Sequence, residues 1–304
     1  MLDVISKLRT KLSESGIKTS INETLAAHST FRIGGPAAIM VFPSGREQII
    51  NVLRLVRETG LKYTVIGNGS NILFDDSGYA GVIISTVDMR GMEFIDDTRL
   101  QADCGASFIS MSLAAARAGL SGLEFAYGIP GSCGGAVFMN AGAYGSEVSS
   151  VVDRVYCYDV ERDMEVCIPA EELEFSYRHS LFMDRRELII LSATFILNTD
   201  DTERIKARMD ENMRCRREKQ PLEYPNAGSV FKRHEKYFIG KLIDDCGLKG
   251  YSIGGAQISE KHAGFIVNRG GATSADVLSL VSHIKNILFK NYGFEPECEI
   301  RYIH

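Results

Sequence analysis

Residues 128–145 read GIPGSCGGAVFMNAGAYG, eighteen residues of which six are glycine and none is charged. Glycine carries no Cβ and tolerates positive φ, so such a run lets several N–H donors press against a phosphate without steric conflict. A loop of several tight turns would use the same glycines. The apolar middle, Ala136, Val137, Phe138 and Met139, reads as buried rather than solvated, as in a loop that covers a large ligand.

Two shorter stretches share this texture. Gly67-Asn68-Gly69-Ser70-Asn71 follows the β-rich Tyr63–Ile66, and Asn226-Ala227-Gly228-Ser229-Val230-Phe231-Lys232 presents a serine from a small-residue turn. Three such loops suit a large nucleotide-containing cofactor together with a second phosphorylated ligand. Several common alternatives are excluded. There is no GxxxxGK[ST], which disfavours a P-loop NTPase. The Gly67 loop lacks the third glycine of the dinucleotide fingerprint, so a Rossmann domain is unsupported. No HExxH occurs and the six histidines show no ligand spacing, so no metal site is expected. A GxSxG elbow is also missing.

Composition agrees with a soluble globular protein. The chain has 304 residues, enough for two or three domains, with 45% hydrophobic and 24% charged residues. No apolar run reaches the roughly 20 residues that span a bilayer, and the amphipathic start MLDVISKLRTKLSESG is no secretory signal, so a cytoplasmic protein without a membrane partner is expected. A net charge of −5 argues against nucleic-acid binding. The seven cysteines are scattered singly, which favours reduced thiols over a disulfide framework. The basic cluster Arg214, Arg216, Arg217 and Lys219 is either a solvated helix face or the edge of an anionic site.

Periodicity supplies the organisation. Val4, Ile5, Leu8 and Leu12 predict a helix, Ile49, Ile50, Leu53 and Val56 a second that ends at Gly60, and residues 108–118 a third. Residues 81–86 and 99–103 read as strands, and 151–160, 164–168 and 188–197 alternate like strands of an antiparallel sheet. Thr202–Lys219 reads as a charged helix stopped by Pro221, and Ser274–Lys290 as an amphipathic one. The last residues, Glu297–Ile303, again read as a strand. A domain boundary is placed near residue 200.

The motifs also occur in a specific order: Thr30-Phe31-Arg32-Ile33-Gly34-Gly35, Gly67–Asn71, Gly128–Gly145, Ser176-Tyr177-Arg178-His179-Ser180, Asn226–Lys232, then Gly254-Gly255-Ala256-Gln257 with His262-Ala263-Gly264. From Thr30 to Ile303 this set resembles the UDP-N-acetylenolpyruvoylglucosamine reductase (MurB) family. The resemblance implies an α+β chain: a two-subdomain FAD-binding fold of the PCMH, or vanillyl-alcohol-oxidase-like, type over residues 1–200, its subdomains meeting near 61–67. A C-terminal α+β substrate-binding domain over 201–304 would follow, with residues 295–304 returning to the flavin site. It further implies noncovalent FAD, NADPH as hydride donor, UDP-N-acetylglucosamine enolpyruvate as substrate, and a monomer.

By position, the resemblance assigns Ser229 as proton donor, Arg178 as the arginine at the enolpyruvyl group and Glu299 as the C-terminal acid. It places Gly67, Asn68, Gly69, Ser70 and Asn71 at the pyrophosphate, Pro130, Gly131, Ser132, Gly135 and Gly142 along the flavin, and Arg32 and Arg301 on the flavin side. Tyr144, Tyr177, Lys219, Lys232 and Gln257 fall to the substrate; His262 either joins them or is a buried, hydrogen-bonded histidine. The chemistry asks for these types independently. Hydride delivery to an enol ether leaves negative charge beside a carboxylate, which requires a fixed cation and a proton source. Three departures stand out. Cys133 replaces a small or aliphatic residue, His234 stands where proline is common, and residues after Arg178 run quickly into a strand, as in the short-loop branch of the family. The other readings are an oxidase of the same cofactor-binding superfamily and a catalytically inactive UDP-sugar-binding protein.

Overall fold

The computed structural model describes residues 2–304. The chain divides into two compact units, each assembled from separate segments: residues 2–21, 39–68 and 81–215 form the first, and residues 22–38, 69–80 and 216–304 the second. This division follows packing, whereas the cut near residue 200 follows a change in the texture of the sequence. Residues 201–215 of the expected C-terminal part therefore belong to the first unit.

Hydrophobic spacing explains the helices of the first unit. In Arg46–Thr59, Ile49, Val52, Leu53 and Val56 recur at helical spacing and are all buried, and Gly60 closes the helix in the left-handed conformation with φ 67°. A four-stranded sheet orders Lys18–Thr24, Pro36–Phe42, Tyr79–Ser85 and Tyr63–Ile66, the last pair being parallel. A five-stranded sheet orders Met164–Pro169, Val152–Asp159, Leu188–Ile196, Arg99–Asp103 and Met92–Phe94, with every pairing antiparallel. Its central strand, LIILSATFI, is buried at every position but the last, so both faces are covered. The helix and the strands Tyr63–Ile66, Tyr79–Ser85, Arg99–Asp103, Val152–Asp159, Met164–Pro169 and Leu188–Ile196 lie where the sequence pattern places them; Lys18–Thr24, Pro36–Phe42 and Met92–Phe94 are not marked by it.

The glycine-rich stretch departs from the expectation of a loop. Cys133–Phe138 forms a short helix, capped by Ser132 Oγ, which accepts from Gly135 N at 3.3 Å. Its first turn is anchored by Cys133 N donating to Ala106 O and Gly134 N to Cys104 O, both 2.8 Å. Ala136 and Val137 are buried as expected, while Phe138 and Met139 are only half-buried. Apolar residues that the loop reading turned toward a ligand thus serve partly to seat a helix.

The second unit surrounds its own core. The helix Ser274–Tyr292 buries Val277, Leu280, Ile284 and Leu288 against Ile239 and Ile243 of the helix Ile239–Asp245, and against Ala256, Ile258 and Ile266 of a small antiparallel sheet. Phe31, Ile33, Leu73, Ala227, Val230 and Phe231 complete this core. The C-terminal stretch changes partners midway. Lys232 N donates to Glu297 O and Glu299 N to Val230 O, after which Arg301–Ile303 pairs in parallel with Ile72–Phe74. Only Arg301–Ile303 is therefore regular strand, shorter than expected. Among the described residues no helix is long and apolar enough to cross a membrane.

Asp76 fixes the N-terminus of the long helix: its carboxylate accepts from Ser274 N (2.8 Å), Ser274 Oγ (2.8 Å) and Ala275 N (3.2 Å). Removing a carboxylate that caps orphan helix N–H groups costs about 1–2 kcal/mol. Asp76→Ala should lose that much stability in urea unfolding and Asp76→Asn clearly less; equal losses would show that the charge contributes nothing.

Candidate active site

In the first unit, two glycine loops meet. The Asn68 amide donates to Pro130 O at 3.1 Å and Gly131 O at 3.0 Å, and a Cβ at Gly67 would come within 2.0 Å of Ser132 Oγ. Gly67, Asn68, Pro130, Gly131 and Ser132 thus form one cluster, with Gly135 exposed beside the Ser132 cap. Neither GNGSN nor PGSCGG contains an acidic residue. Close-packed backbone, amide and hydroxyl donors without a carboxylate are a donor set that fits the pyrophosphate of a dinucleotide.

Two strained turns stand nearby in the same unit. Ser176 and His179 exchange backbone hydrogen bonds of 3.2 and 3.1 Å across a turn whose tip is Tyr177-Arg178. Arg178 has φ 56°, a position that usually selects glycine or asparagine. Gly142–Ala143 pairs with Ser146–Glu147 across Tyr144-Gly145, where both central residues have positive φ. The Arg178 guanidinium donates to Gly142 O at 3.1 Å and to Asn140 O at 3.4 Å, and it lies 4.9 Å above the Tyr177 ring.

Asn140, which sequence reasoning did not single out, joins the two turns. Fully buried, its amide donates to Glu147 Oε1 (3.0 Å) and Ser176 O (2.9 Å), and its Oδ1 accepts from Ser149 N (2.9 Å). The signal was a lone polar residue inside the apolar part of the glycine-rich block. Cys133 is fully buried, its Sγ donating to Ala102 O at 3.7 Å, and burial pushes the thiol well above its ordinary pKa. A covalent flavin link at Cys133 would need the thiolate that this environment disfavours.

In the second unit, the Ser229 segment is bonded to two other segments. Val230 N donates to Gly264 O at 2.9 Å, and Val230 O accepts from Glu299 N at 2.8 Å. Ser229, Lys232 and Glu299 thus lie on adjoining strands, with Ser229 and Glu299 both half-buried. The turn before Ser229 is made by Asn226, whose Oδ1 accepts from Gly228 N at 2.9 Å; Gly228 has φ 79°, which its neighbours leave open to no other cause than backbone conformation. Arg301 N donates to Asn71 O at 3.0 Å and Asn71 Nδ2 to Glu299 O at 3.1 Å, so Asn71, Glu299 and Arg301 come together. Gly69 lies close to His28 O, which a Cβ would approach to 2.1 Å, with Ser70 half-buried beside it. Arg32 has φ 56°.

The expected substrate residues divide. Lys232 is paired with Glu297 at 2.5 Å. Gln257 donates its amide to Gly250 O at 3.1 Å, and Lys219 is exposed at the end of its helix. His234 stacks on Tyr237 and on Phe294, centroids 5.2 and 4.7 Å apart, and its Nδ1 accepts from Lys236 N, which sets the course of that loop.

These arrangements have counterparts in known proteins. Residues 220–303 match the model of the UDP-N-acetylenolpyruvoylglucosamine reductase C-terminal domain, and residues 37–161 that of an FAD binding domain. The UDP-N-acetylenolpyruvoylglucosamine reductase of Caldanaerobacter subterraneus is 42% identical, across 99% of this chain and 98% of its own length. The chain belongs to the UDP-N-acetylenolpyruvoylglucosamine reductase family. The same-named protein of Caldicellulosiruptor bescii is 45% identical over 96% of this chain and 93% of its own. Among solved structures, the family's MurB from Thermus caldophilus superposes with a TM-score of 0.81 at 32% identity, covering 95% of this chain and 99% of that one. The expected α+β flavin-binding fold followed by a C-terminal α+β domain is the fold of this family. Like its relatives the chain is an oxidoreductase, and FAD is its cofactor.

His262 is a half-buried, bonded histidine: Nδ1 accepts from Gly264 N at 3.1 Å and the ring meets Phe265 edge-on at 4.9 Å. Burial, with a smaller contribution from Lys249, holds its pKa below the ordinary 6.5. The sign follows. Above pH 6.5 both folded and unfolded chains are neutral here and stability is full; as pH falls toward the folded pKa, the unfolded chain takes up the proton first and stability is lost. Urea midpoints should therefore decline from about pH 7 to 5, and His262→Asn should flatten the decline. An unchanged slope in the variant would assign the pH dependence to other groups.

Proposed function

We propose that the chain reduces UDP-N-acetylglucosamine enolpyruvate to UDP-N-acetylmuramate with NADPH, supplying the precursor of peptidoglycan, and works as a cytoplasmic monomer. The observation that carries this reading is the backbone bond from Glu299 N to Val230 O, which puts the assigned acid and the assigned proton donor on neighbouring strands. Held by the flavin-side residues named below, FAD would supply the redox chemistry, passing hydride equivalents from NADPH to the terminal carbon of the enol ether.

The chain's own residues handle the charge and the proton. Hydride addition at the terminal carbon leaves negative charge on the ether-bearing carbon and its carboxylate. Arg178 meets that carboxylate; a guanidinium stays protonated and pairs with it through two parallel hydrogen bonds. Its carbonyl partners, Asn140 O and Gly142 O, hold the group in one orientation. Ser229 Oγ then gives its proton to the ether-bearing carbon. A hydroxyl is a weak acid, but the carbanion-like centre is far more basic, so the transfer runs downhill. Glu299 polarises the same group. The flavin side comprises Gly67, Asn68, Gly69, Ser70, Asn71, Pro130, Gly131, Ser132, Gly135 and Gly142, with Arg32 and Arg301 beside it. Tyr144, Tyr177, Lys219, Lys232 and Gln257 serve the UDP-sugar, the lysines because a diphosphate requires cations. By function, residues 1–200 serve mainly the flavin and 201–304 mainly the substrate, with Tyr144, Tyr177 and Arg178 of the first serving the substrate and Arg301 of the second the flavin.

Positioned proton transfer contributes roughly 10²–10⁴ in rate, so Ser229→Ala should lose about 3–5 kcal/mol of transition-state stabilisation. In stopped-flow measurements the variant should keep wild-type flavin reduction by NADPH and bind substrate nearly as before, while flavin reoxidation by the enolpyruvyl sugar collapses. Reoxidation at the wild-type rate would remove Ser229 from the role.

A further inference from the structure

Thr30 opens the Thr30–Gly35 motif, yet its hydroxyl has no place in the chemistry above. Its hydroxyl donates to Asn226 O at 2.7 Å, across 196 positions of sequence. Asn226 is the first residue of the turn that presents Ser229. The preceding residue is held as well, because Asn268 N donates to Pro225 O at 2.9 Å. The side chain of Asn268, 8% exposed, returns to the Thr30 segment: Nδ2 donates to Phe31 O at 3.2 Å and Arg32 O at 3.5 Å, while Oδ1 accepts from Gly270 N at 2.9 Å and Ala272 N at 3.3 Å.

These bonds close a ring. From Asn268 it runs through Pro225 and Asn226 to Thr30, then through Phe31 back to Asn268. Three segments distant in sequence are locked together, and two of them carry assigned residues, Arg32 on one and Ser229 on the other. Within the ring, Thr30 supplies the only side-chain bond among these that reaches the Ser229 turn directly, and it attaches three residues before the serine. The turn's internal bonds, Gly228 N to Asn226 Oδ1 and Asn226 Nδ2 to Tyr224 O at 2.8 Å, give it shape but do not fix it in space.

We propose that Thr30 is a positioning residue for proton delivery: its hydroxyl, in a ring completed by Asn268, sets the placement of Ser229. This rests on the reading of Ser229 given above. Misplacing a reacting group by about 1 Å costs as much as 10²-fold in rate, so loss of one tether should be felt in the step that uses Ser229 and in no other.

The test compares Thr30→Val, which keeps the shape and removes the hydroxyl, with Thr30→Ser, which keeps the hydroxyl, in the FAD-loaded enzyme. Thr30→Val should slow flavin reoxidation by the enolpyruvyl sugar about tenfold to a hundredfold, with a larger solvent deuterium isotope effect on that step. Flavin reduction by NADPH and FAD content should not change. Amide hydrogen exchange at residues 226–230 should quicken without substrate present, a readout independent of turnover. Thr30→Ser should restore all of these. Equal reoxidation rates and isotope effects in Thr30→Val and wild type would overturn the proposal, as would parallel losses in both half-reactions, the mark of a general structural role. Failure of the wild-type enzyme itself to be reoxidised by the sugar would instead overturn the reading of the reaction. Asn268→Asp, which keeps the acceptor half of the amide and loses the donors to Phe31 and Arg32, should reproduce the Thr30→Val pattern more weakly; an effect confined to NADPH oxidation would contradict the ring.

Discussion

Main-chain pairing of the Ser229 segment with two other segments is the constraint on which the second unit's chemistry depends. Val230 is bonded through its N–H to Gly264 and through its carbonyl to Glu299, and Lys232 N is bonded to Glu297 O. A segment paired in this way cannot slip by one residue without turning its side chains to the opposite face. Ser229 and Glu299 therefore keep a fixed relation set by backbone geometry, and side-chain mobility is left only the last adjustment. The core beneath, with Ala227, Val230 and Phe231 packed against Ile239, Ile266 and Ile284, resists any such slip.

Backbone strain marks a second kind of constraint. Among the described residues seven non-glycine residues have positive φ; of these Arg32, Tyr144 and Arg178 are assigned to the site, while Asn140 braces two of the three. Such conformations cost of order 1–3 kcal/mol each and persist where surrounding bonds over-determine them. For Arg178 and Tyr144 the bonds are visible: each occupies the tip of a tight turn, and Asn140 ties the two turns together. A long side chain at a turn tip is presented outward on a short, stiff base. That suits a residue that must hold a charged ligand in one orientation.

The long helices and the longer strands of the antiparallel sheet were legible because their signals are local. The helices at Arg46–Thr59 and Ser274–Tyr292 follow from apolar spacing, and the antiparallel strands at 152–159, 164–169 and 188–196 from β-rich runs between turns. The glycine-rich block was harder. Glycine and alanine permit both turn and helix, and the contacts that settle Cys133–Phe138 as helix come from Cys104 and Ala106, some thirty residues earlier. The C-terminal strand was overestimated because its pattern continues while its partner changes. Of the site, candidate residues could be named through motif order. The bracing side chains Thr30, Asn140 and Asn268 could not, since most of their partners are backbone groups that carry no sequence signature. Gln257 and Lys232, assigned to the substrate by motif order, each also have an internal partner, Gly250 O and Glu297.

The central claim is that bound flavin carries electrons from NADPH to the enolpyruvyl sugar. An anaerobic absorbance titration of the purified protein tests it most directly. The account predicts flavin bands that bleach with NADPH and recover fully, in the absence of oxygen, on addition of one equivalent of UDP-N-acetylglucosamine enolpyruvate. Bands that recover only with oxygen, or a colourless protein that cannot be reconstituted with FAD, would contradict it.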